Sequence, residues 1–481
     1  MTDSSQVVAA ADVVVYNSLT RRKEPFASIE PGRIGMYVCG VTVYDDAHIG
    51  HGMSSIIFDV IRRYFLHLGY DVRYAQNFTD VDDRIIKRAA DEGIEPSVLT
   101  ERLISDWNRE TAALNILPAT VAPRATQEIP GIIGMISGLI EGDHAYESNG
   151  DVYFSVRSFP EYGKLSHRDI DGLRAGARID VNEQKRDPLD FVLWKSAKPG
   201  EPSWPSPWSE GRPGWHIECS AMCSHHLNGV VDIHGGGRDL IFPHHENEIA
   251  QSEAFSNVSP FARYWMHNGM LQLNGEKMSK SIGNVVPLRE IIEKRRSAAF
   301  RLQVLQTHYR SPLNFTYQGL EAAESGLSRL RSALDSDPAT DQRVVHVTAT
   351  ALENTATEAE TRFHDAMRDD FDTPVAIAAI FDLGRAINRA KRELGATPEL
   401  SAAQQTLREL TGILGLDLSP VEVAPSLEAT PFIDLLIGVR KDLRTTRQFA
   451  IADAIRDGLL EQGIALEDTP EGTIWKSIER N

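Results

Sequence analysis

Cysteine is scarce in this chain: three residues in 481, at Cys39, Cys219 and Cys223. So few thiols exclude a disulfide framework, and an odd number cannot all pair internally. The reading predicts a reducing, cytoplasmic setting in which thiols are free to act as ligands. Long apolar runs are also missing. None approaches the ~18 residues a membrane span needs. The opening MTDSSQVVAAADVVVYNS has no basic stretch ahead of its apolar patch, so no signal peptide is expected. Positive charge is in deficit, with 50 Lys and Arg against 68 Asp and Glu and a formal net charge of −18. Taken alone, that balance argues against a nucleic-acid partner, because phosphate binding needs Lys and Arg. A summed charge does not say where the charges sit.

What is present is ordinary globular composition: 42% hydrophobic, 25% charged and 7% aromatic. The length allows two to four domains around a large core. Gly35 to Cys39 (GMYVC) is an apolar run suited to a buried strand, and the loop GVTVYDDAHIGHG follows. From Ile56 the apolar positions Ile57, Val60, Ile61, Tyr64, Phe65 and Leu68 recur at helical spacing, and Gly69 marks the stop. Asp71 to Phe78 reads as a second strand. Strand, loop, helix, strand is a βαβ unit, which builds parallel sheets with ligands at the carboxyl ends of strands. Residues 199–214, rich in Pro, Gly, Trp and Ser, read as an ordered loop. After Phe315 strand-like runs become rare and helical patterns take over, as in Ala376 to Leu394. The polar, acidic stretch Ser332 to Glu360 is expected to be a surface crossing.

Three clusters carry chemistry. His48-Ile49-Gly50-His51 stands between a strand and a helix, where imidazoles, helix N–H groups and a close-approach glycine suit phosphate. The plain alternative is two surface histidines at a helix cap. Gly275-Glu276-Lys277-Met278-Ser279-Lys280-Ser281-Ile282-Gly283-Asn284 sets two lysines and two serines between glycines in a loop able to clamp phosphates; alone it is only a basic turn. Together the two segments form the ATP signature of the class I aminoacyl-tRNA synthetases. The third cluster concerns metal. Pro243 can open a helix, and His244 and Glu248 then lie at i and i+4 on one face. With Cys39 and Cys219 they make a credible zinc shell. Cys223, at i+4 from Cys219, and His245 or Glu246 are alternatives that spacing leaves open, and a buried cysteine is often only a small hydrophobe.

The chain resembles the cysteinyl-tRNA synthetases. The likeness rests on MYVCGVTVYDDAHIGH from Met36, NFTDVDDRIIKRA from Asn77, KLSHRDIDGLRAGARIDVNEQKRDPLDFVLWK from Lys164 and SPWSEGRPGWHIECSAM from Ser206. DIHGGGRDLIFPHHENEIAQSEA from Asp232 and THYRSPLNF from Thr307 extend it, and weaker matches run on to Trp475. It implies a Rossmann-like α/β parallel-sheet catalytic domain with insertions, followed by an α-helical C-terminal region. The implied divisions are residues 1–315, with an acceptor-end insertion at about 120–215, then 316–425 and a small anticodon-binding region at 426–481.

The resemblance also implies site residues. Zinc falls to Cys39, Cys219, His244 and Glu248, and Cys223 is left inert. Thr79, Trp215 and Asp239 match positions lining the substrate cysteine pocket. His48, His51, Lys277 and Lys280 match the catalytic residues, and Gly40, Thr42, Gly50 and Lys280 the ATP contacts. The implied partners are L-cysteine, ATP with Mg2+, and tRNA(Cys), with one zinc per chain, no membrane and a monomeric state. Val41 replaces the usual proline after CysGly, and Gly52-Met53 the usual Ala-Arg. Two rivals share parts of the pattern: a cysteine ligase of the mycothiol pathway, which lacks a full C-terminal region, and a silent RNA-binding paralogue, free to lose the motif residues present here. As for charge, Lys277 to Phe315 holds eight basic residues against two acidic ones, a net of +6. The reading expects a confined tRNA footprint there, at Arg295 and Arg296 among others.

Overall fold

The structure, a computed structural model, describes residues 13–169, 184–278, 283–335, 346–394, 397–419, 429–469 and 472–477. It divides into a large unit, residues 1–418, and a small one, residues 419–481.

The large unit is built on four parallel strands. In sheet order they are Ala262–Asn268, Val231–Gly237, Arg33–Thr42 and Asp71–Thr79. The chain leaves Arg33–Thr42 through the helix Ile49–His67, pairs Asp71–Thr79 on one side, and later adds Val231–Gly237 on the other. The order therefore reverses at the central strand, and its carboxyl end is the switch-point crevice where such sheets bind ligands. Alternation decides what each face sees. Ile34, Met36 and Val38 join the core that includes Ile56, Phe58 and Ile61, while Tyr37 joins the opposite core with Ile217, Met222 and Trp265. Cys39 shares the parity of Tyr37 and packs against that second core.

The pairing of Arg33–Thr42 with Asp71–Thr79 slips between Val38 and Val41, so Cys39 and Gly40 lie in a bulge. Such bulges re-aim side chains. The Gly40 N–H donates to Asn77 Oδ1 at 2.9 Å, and a Cβ at Gly40 would stand 1.6 Å from the Asn77 carbonyl oxygen, so only glycine fits. Val41 is in ordinary register with Phe78, a place where proline is not needed. Gly52 and Met53 face the core. A side chain at Gly52 would meet Leu288 at 2.9 Å, and Met53 is buried.

An antiparallel sheet of Ala145–Ser148, Asp151–Phe154, Phe191–Ser196 and Gly211–Pro213, with helix Ile129–Glu141, forms the insertion. Trp204 bridges Gly211, which fixes the Pro- and Trp-rich loop in place. Beyond Phe315 the helices Tyr317–Leu334, His346–Arg368, Thr373–Leu394 and Pro398–Ile413 follow. The expected surface crossing at Ser332 to Glu360 is corrected here. From His346 the stretch is helical, because Ala349, Leu352, Ala356 and Ala359 keep a helical apolar stripe among polar neighbours. The small unit has helices Ala429–Thr445 and Phe449–Glu461 and a hairpin of Ile464–Thr469 with Gly472–Ser477.

Candidate active site and metal centre

Four donors from four elements meet at the carboxyl end of the central strand. Cys39 comes from the bulge, Cys219 from the helix Trp215–Leu227, and His244 and Glu248 from the turn Ile241–His245 and the helix Glu246–Ser256. The α-helix starts at Glu246 rather than at Pro243, yet His244 and Glu248 still face each other, with Nε2 and Oε1 3.0 Å apart. Cys39 Sγ lies 3.8 Å from Cys219 Sγ, 3.5 Å from His244 Nε2 and 3.3 Å from Glu248 Oε1. Tetrahedral zinc with Zn–S of ~2.3 Å and Zn–N of ~2.0 Å needs edges of about 3.8 Å between sulfurs and about 3.5 Å from sulfur to nitrogen. The observed separations are close to those edges, so the donor set fits zinc. Cys223 is packed in the apolar core outside the group. His245 instead hydrogen-bonds His267 (2.8 Å), and Glu246 accepts the N–H groups of Gly163 (2.9 Å) and Ser166 (2.7 Å).

The electrostatics also point to a cation. Burial, followed by Cys219 and Glu248, pushes the Cys39 thiol well up. Burial works against charge on Glu248 as well, but His234 and His244 outweigh it and hold the carboxyl well below its usual range. His244 is disfavoured as a cation by burial, yet Glu248 and Cys219 raise it to about 10. Three groups able to carry negative charge thus share a buried space, a conflict that a divalent ion relieves.

A supporting layer orients the donors. Nε2 of His234 sits 2.9 Å from Glu248 Oε2, and Nδ1 of His216 sits 2.9 Å from His244 Nδ1. Burial first, then His244, lowers His216 to about 3, so it is the neutral partner. Trp215 stacks on His244 with centroids 4.3 Å apart. Thr79 is buried and donates to Glu218 Oε2 at 3.0 Å, one residue before the ligand Cys219. Burial pushes the Glu218 carboxyl well up, followed by Cys219. His216, Glu218, His234 and Asn77 were not singled out in the sequence. The available signal was charge and imidazole inside otherwise apolar or small-residue runs, IECSAM and VDIHGGG. Asp239 faces a cleft of about 660 Å³ with Ser18, Arg238 and His267, whereas Trp215 lines a different one of about 610 Å³ with Asp83, Lys195 and Arg212. The three residues matched to the cysteine pocket are therefore not gathered on one wall.

The phosphate end is nine residues along from Cys39. His48 is the N-cap of helix Ile49–His67, its ring accepting from the His51 N–H, and the two imidazoles stack 3.7 Å apart. The helix-cap alternative is thus real, and it also leaves the rings beside the helix N-terminus, where anions are favoured. Thr42 and His51 line one small pocket with Asp45 and Asp46. The segment that follows the lysine loop is joined to this end by backbone. Ile49 N–H donates to Val286 O (3.1 Å), Leu288 N–H to Ala47 O (2.9 Å), and His48 bridges Pro287. Met278 Cε lies 3.2 Å from where a side chain on Gly50 would begin. Lys277 belongs to a short strand, Glu276–Lys277, paired to Leu271–Leu273. Lys280 lies outside the described residues.

The basic segment after the loop is largely spoken for. Arg289 pairs Asp46 (3.0 Å), Lys294 pairs Glu290 (2.7 Å), Arg296 pairs Glu324 (3.0 Å), Arg310 pairs Asp370 (2.7 Å), and buried Arg301 pairs Asp59. Five of the six cations from Arg289 to Arg310 are thus engaged in ion pairs.

Comparison with known proteins agrees with this geometry. Residues 25–325 match the family model "tRNA synthetases class I (C) catalytic domain", and residues 362–419 match the DALR domain. Methionyl-tRNA synthetase of Mycobacterium tuberculosis, solved with methionyl-adenylate, has the same fold. Its TM-score is 0.56 at 16% identity, over 79% of this chain and 89% of that one. The fold and the matched catalytic domain are those of a class I aminoacyl-tRNA synthetase. Among curated proteins, a cysteine–tRNA ligase of Dehalococcoides mccartyi (strain 195) is 53% identical, and those of Heliobacterium modesticaldum and Legionella pneumophila (strain Paris) are 49% and 50% identical. Each comparison covers 96% of this chain and 99% of the relative. The chain belongs to the cysteine–tRNA ligase family.

Proposed function

We propose that this chain activates L-cysteine with ATP to cysteinyl-adenylate and transfers the cysteinyl group to the 3′ end of tRNA(Cys). The observation that carries the reading is the donor set of Cys39, Cys219, His244 and Glu248, whose Cys39 stands nine residues before His48, the cap of the helix Ile49–His67. Those four residues would hold zinc, which when bound supplies a soft Lewis-acid partner for the substrate thiol and so distinguishes cysteine from serine. The chain's other residues position and neutralise. His48, Gly50 and His51 receive ATP phosphates at the helix N-terminus, with the backbone at Gly40 and Thr42 beside them. Lys280, assisted by Lys277, meets the charge that develops as the cysteine carboxylate attacks the α-phosphate and pyrophosphate leaves. Thr79 and Trp215 shape the cysteine end, and Asp239 acts from the neighbouring cleft. Magnesium accompanies ATP.

The division of labour is part of the proposal: catalysis in residues 1–315 with an acceptor-end insertion at about 120–215, a helical region at 316–425 and anticodon binding at 426–481. So are a monomeric state and a cytoplasmic location. Among the described residues, no helix is long and apolar enough to cross a membrane. The amino-sugar ligase alternative is disfavoured by a match that extends through the C-terminal region, and a silent paralogue by the presence of every motif residue.

Cysteine-dependent ATP–pyrophosphate exchange, charging of tRNA with cysteine, and one zinc per chain are the expected results. Exchange that passes cysteine to an amino sugar, or no exchange at all, would overturn the reading. Lys280→Ala should keep its zinc while exchange falls by about 10²–10³, the usual loss when one such stabilising group is removed.

A further inference from the structure

The helix that supplies Cys219 carries two more histidines at its far end. His225 and His226 lie in the last turn of Trp215–Leu227, just before Asn228 closes it in the left-handed region. Consecutive helix positions diverge by about 100°, yet both rings turn to one carboxylate, that of Glu128. His225 presents Nδ1 to Glu128 Oε2, and His226 presents Nε2 to Oε1, each at 2.8 Å. Using the near nitrogen of one ring and the far nitrogen of the next offsets the divergence, and the ring centroids are 4.4 Å apart. Glu128 stands at the N-cap of helix Ile129–Glu141, but its side chain makes no cap hydrogen bond. Its side chain is only 12% exposed, and among the described residues its ion-pair partners are the two imidazoles, with no Lys or Arg. The helices on which the three residues sit already pack, since Ile132 and Ile136 share a core with Ala221 and Leu227.

We propose that Glu128, His225 and His226 form a second metal site, for a divalent transition ion such as zinc, separate from the four-donor shell at Cys39. Their donor atoms all lie within 4.8 Å of one another. Zinc bonds of ~2.0–2.2 Å put neighbouring donors about 3.0–3.4 Å apart, so the two 2.8 Å contacts need to open only slightly. Two imidazoles and a carboxylate suit zinc, nickel or iron, whereas magnesium and calcium take oxygen ligands. Three protein donors leave positions for water, and the His225 side chain is 66% exposed, which gives the ion a way in. With fewer donors and no thiolate, this site holds metal more weakly than the Cys39 shell. It fills when metal is added to protein that already holds one zinc. The ion then staples the start of the insertion's helix Ile129–Glu141 to the helix bearing Cys219. A pair of plain hydrogen bonds is the competing reading. The metal reading is favoured because two adjacent imidazoles converge on a withdrawn carboxylate that leaves its own helix uncapped.

The test adds cobalt(II) to the zinc-containing full chain, as wild type, as His225→Ala/His226→Ala and as Glu128→Gln. Wild type should bind about one further equivalent, with d–d absorption and no thiolate-to-cobalt charge transfer, because no sulfur ligates there. Both variants should keep their original zinc and bind cobalt at least ~10-fold more weakly, the least that even a ligand's supporting partner is worth. Added zinc should raise the melting temperature of wild type but not of the double variant, since an ion bound only by the folded state stabilises it. Glu128→Gln keeps a hydrogen-bonding side chain of the same size, so its loss of cobalt separates ligation from packing. No further equivalent in wild type, equal binding in the variants, or cobalt seen only with thiolate charge transfer would each overturn the site. None of these readouts depends on aminoacylation, so failure here is distinct from failure of the functional reading.

Discussion

His216 is the residue whose role is most indirect and most exposed to test. Its Nδ1 meets His244 Nδ1 while His244 Nε2 faces the sulfurs and Glu248, so it fixes which way the ligand ring is turned. Partners of this kind commonly set 10–100-fold in metal affinity. Replacing His216 with Phe should weaken zinc retention by about that factor against a competing chelator, with the melting curve of the zinc-saturated protein nearly unchanged. Equal retention would mean the contact is only packing. Cys219→Ser removes a donor outright and should release zinc or admit serine into pyrophosphate exchange, read by metal content and by serine-dependent exchange. At this scale the sequence was informative for the ligands and silent on their supports. Cysteine is rare and HHENE is dense, so the candidates are few, but spacing left Cys223, His245 and Glu246 open and only the family resemblance chose Cys39, Cys219, His244 and Glu248. His234 and Glu218 are single polar residues whose importance comes from strands and helices distant in sequence, and no periodicity marks them.

Among the elements, the helix Ile49–His67 bears most of the organisation. Its N-terminus presents His48 and His51, and its body holds Asp59, buried against Arg301 of helix Ser297–Leu305. Arg301 also donates to the carbonyls of Leu414 (2.7 Å) and Leu114 (3.1 Å), so one guanidinium ties the helix Ile49–His67 to the chain just after the helix Pro398–Ile413. Both partners of the pair are only 1% exposed. Breaking a buried pair from one side costs about 3–5 kcal/mol when the remaining charge is left uncompensated; Arg63, 2.7 Å from Asp59, keeps it paired, so the lower end of that range is expected. Arg301→Leu should lower stability by that amount in urea unfolding. A loss below ~1 kcal/mol would show that water reaches the site. The strands Arg33–Thr42 and Asp71–Thr79 and the helix between them were legible as apolar runs and 3.6-residue spacing. The helix from His346 was not. The first half of its stripe is alanines and one leucine among Thr and Glu, a weak contrast that only packing against neighbours makes decisive, and Phe363 and Met367 strengthen it only near the end.

At the level of the whole chain, the small unit has its own electrostatic lock. Arg440, 3% exposed, grips both oxygens of Asp468 at 2.8 Å and joins helix Ala429–Thr445 to the strand Ile464–Thr469. Hydrogen bonding from Arg440, then from Thr473, holds the Asp468 carboxyl far below its usual range. Its folded pKa therefore lies below the unfolded value of about 3.9, so the contribution is complete above that pH and fades as pH falls toward the folded value. Acid unfolding of residues 419–481 should begin below about pH 4. In Arg440→Ala this segment should be weaker at neutral pH and lose less on acidification. Equal acid sensitivity in both proteins would remove Asp468 as the cause. Net charge was the least reliable whole-chain signal: −18 did not disclose the basic segment Lys277 to Phe315, five of whose cations pair with carboxylates mostly from other parts of the chain.

The backbone clasp between Ala47–Ile49 and Val286–Leu288, together with the Tyr16 N–H bonded to Asp370 Oδ1 across 354 positions, has a consequence for how the enzyme is made. Contacts this distant form late, after long loops have been closed. A nascent chain on the ribosome holds the histidine half of the phosphate site long before the strand that braces it exists. Unfinished chains released early would thus lack a braced ATP site, so abortive products of translation should not consume ATP.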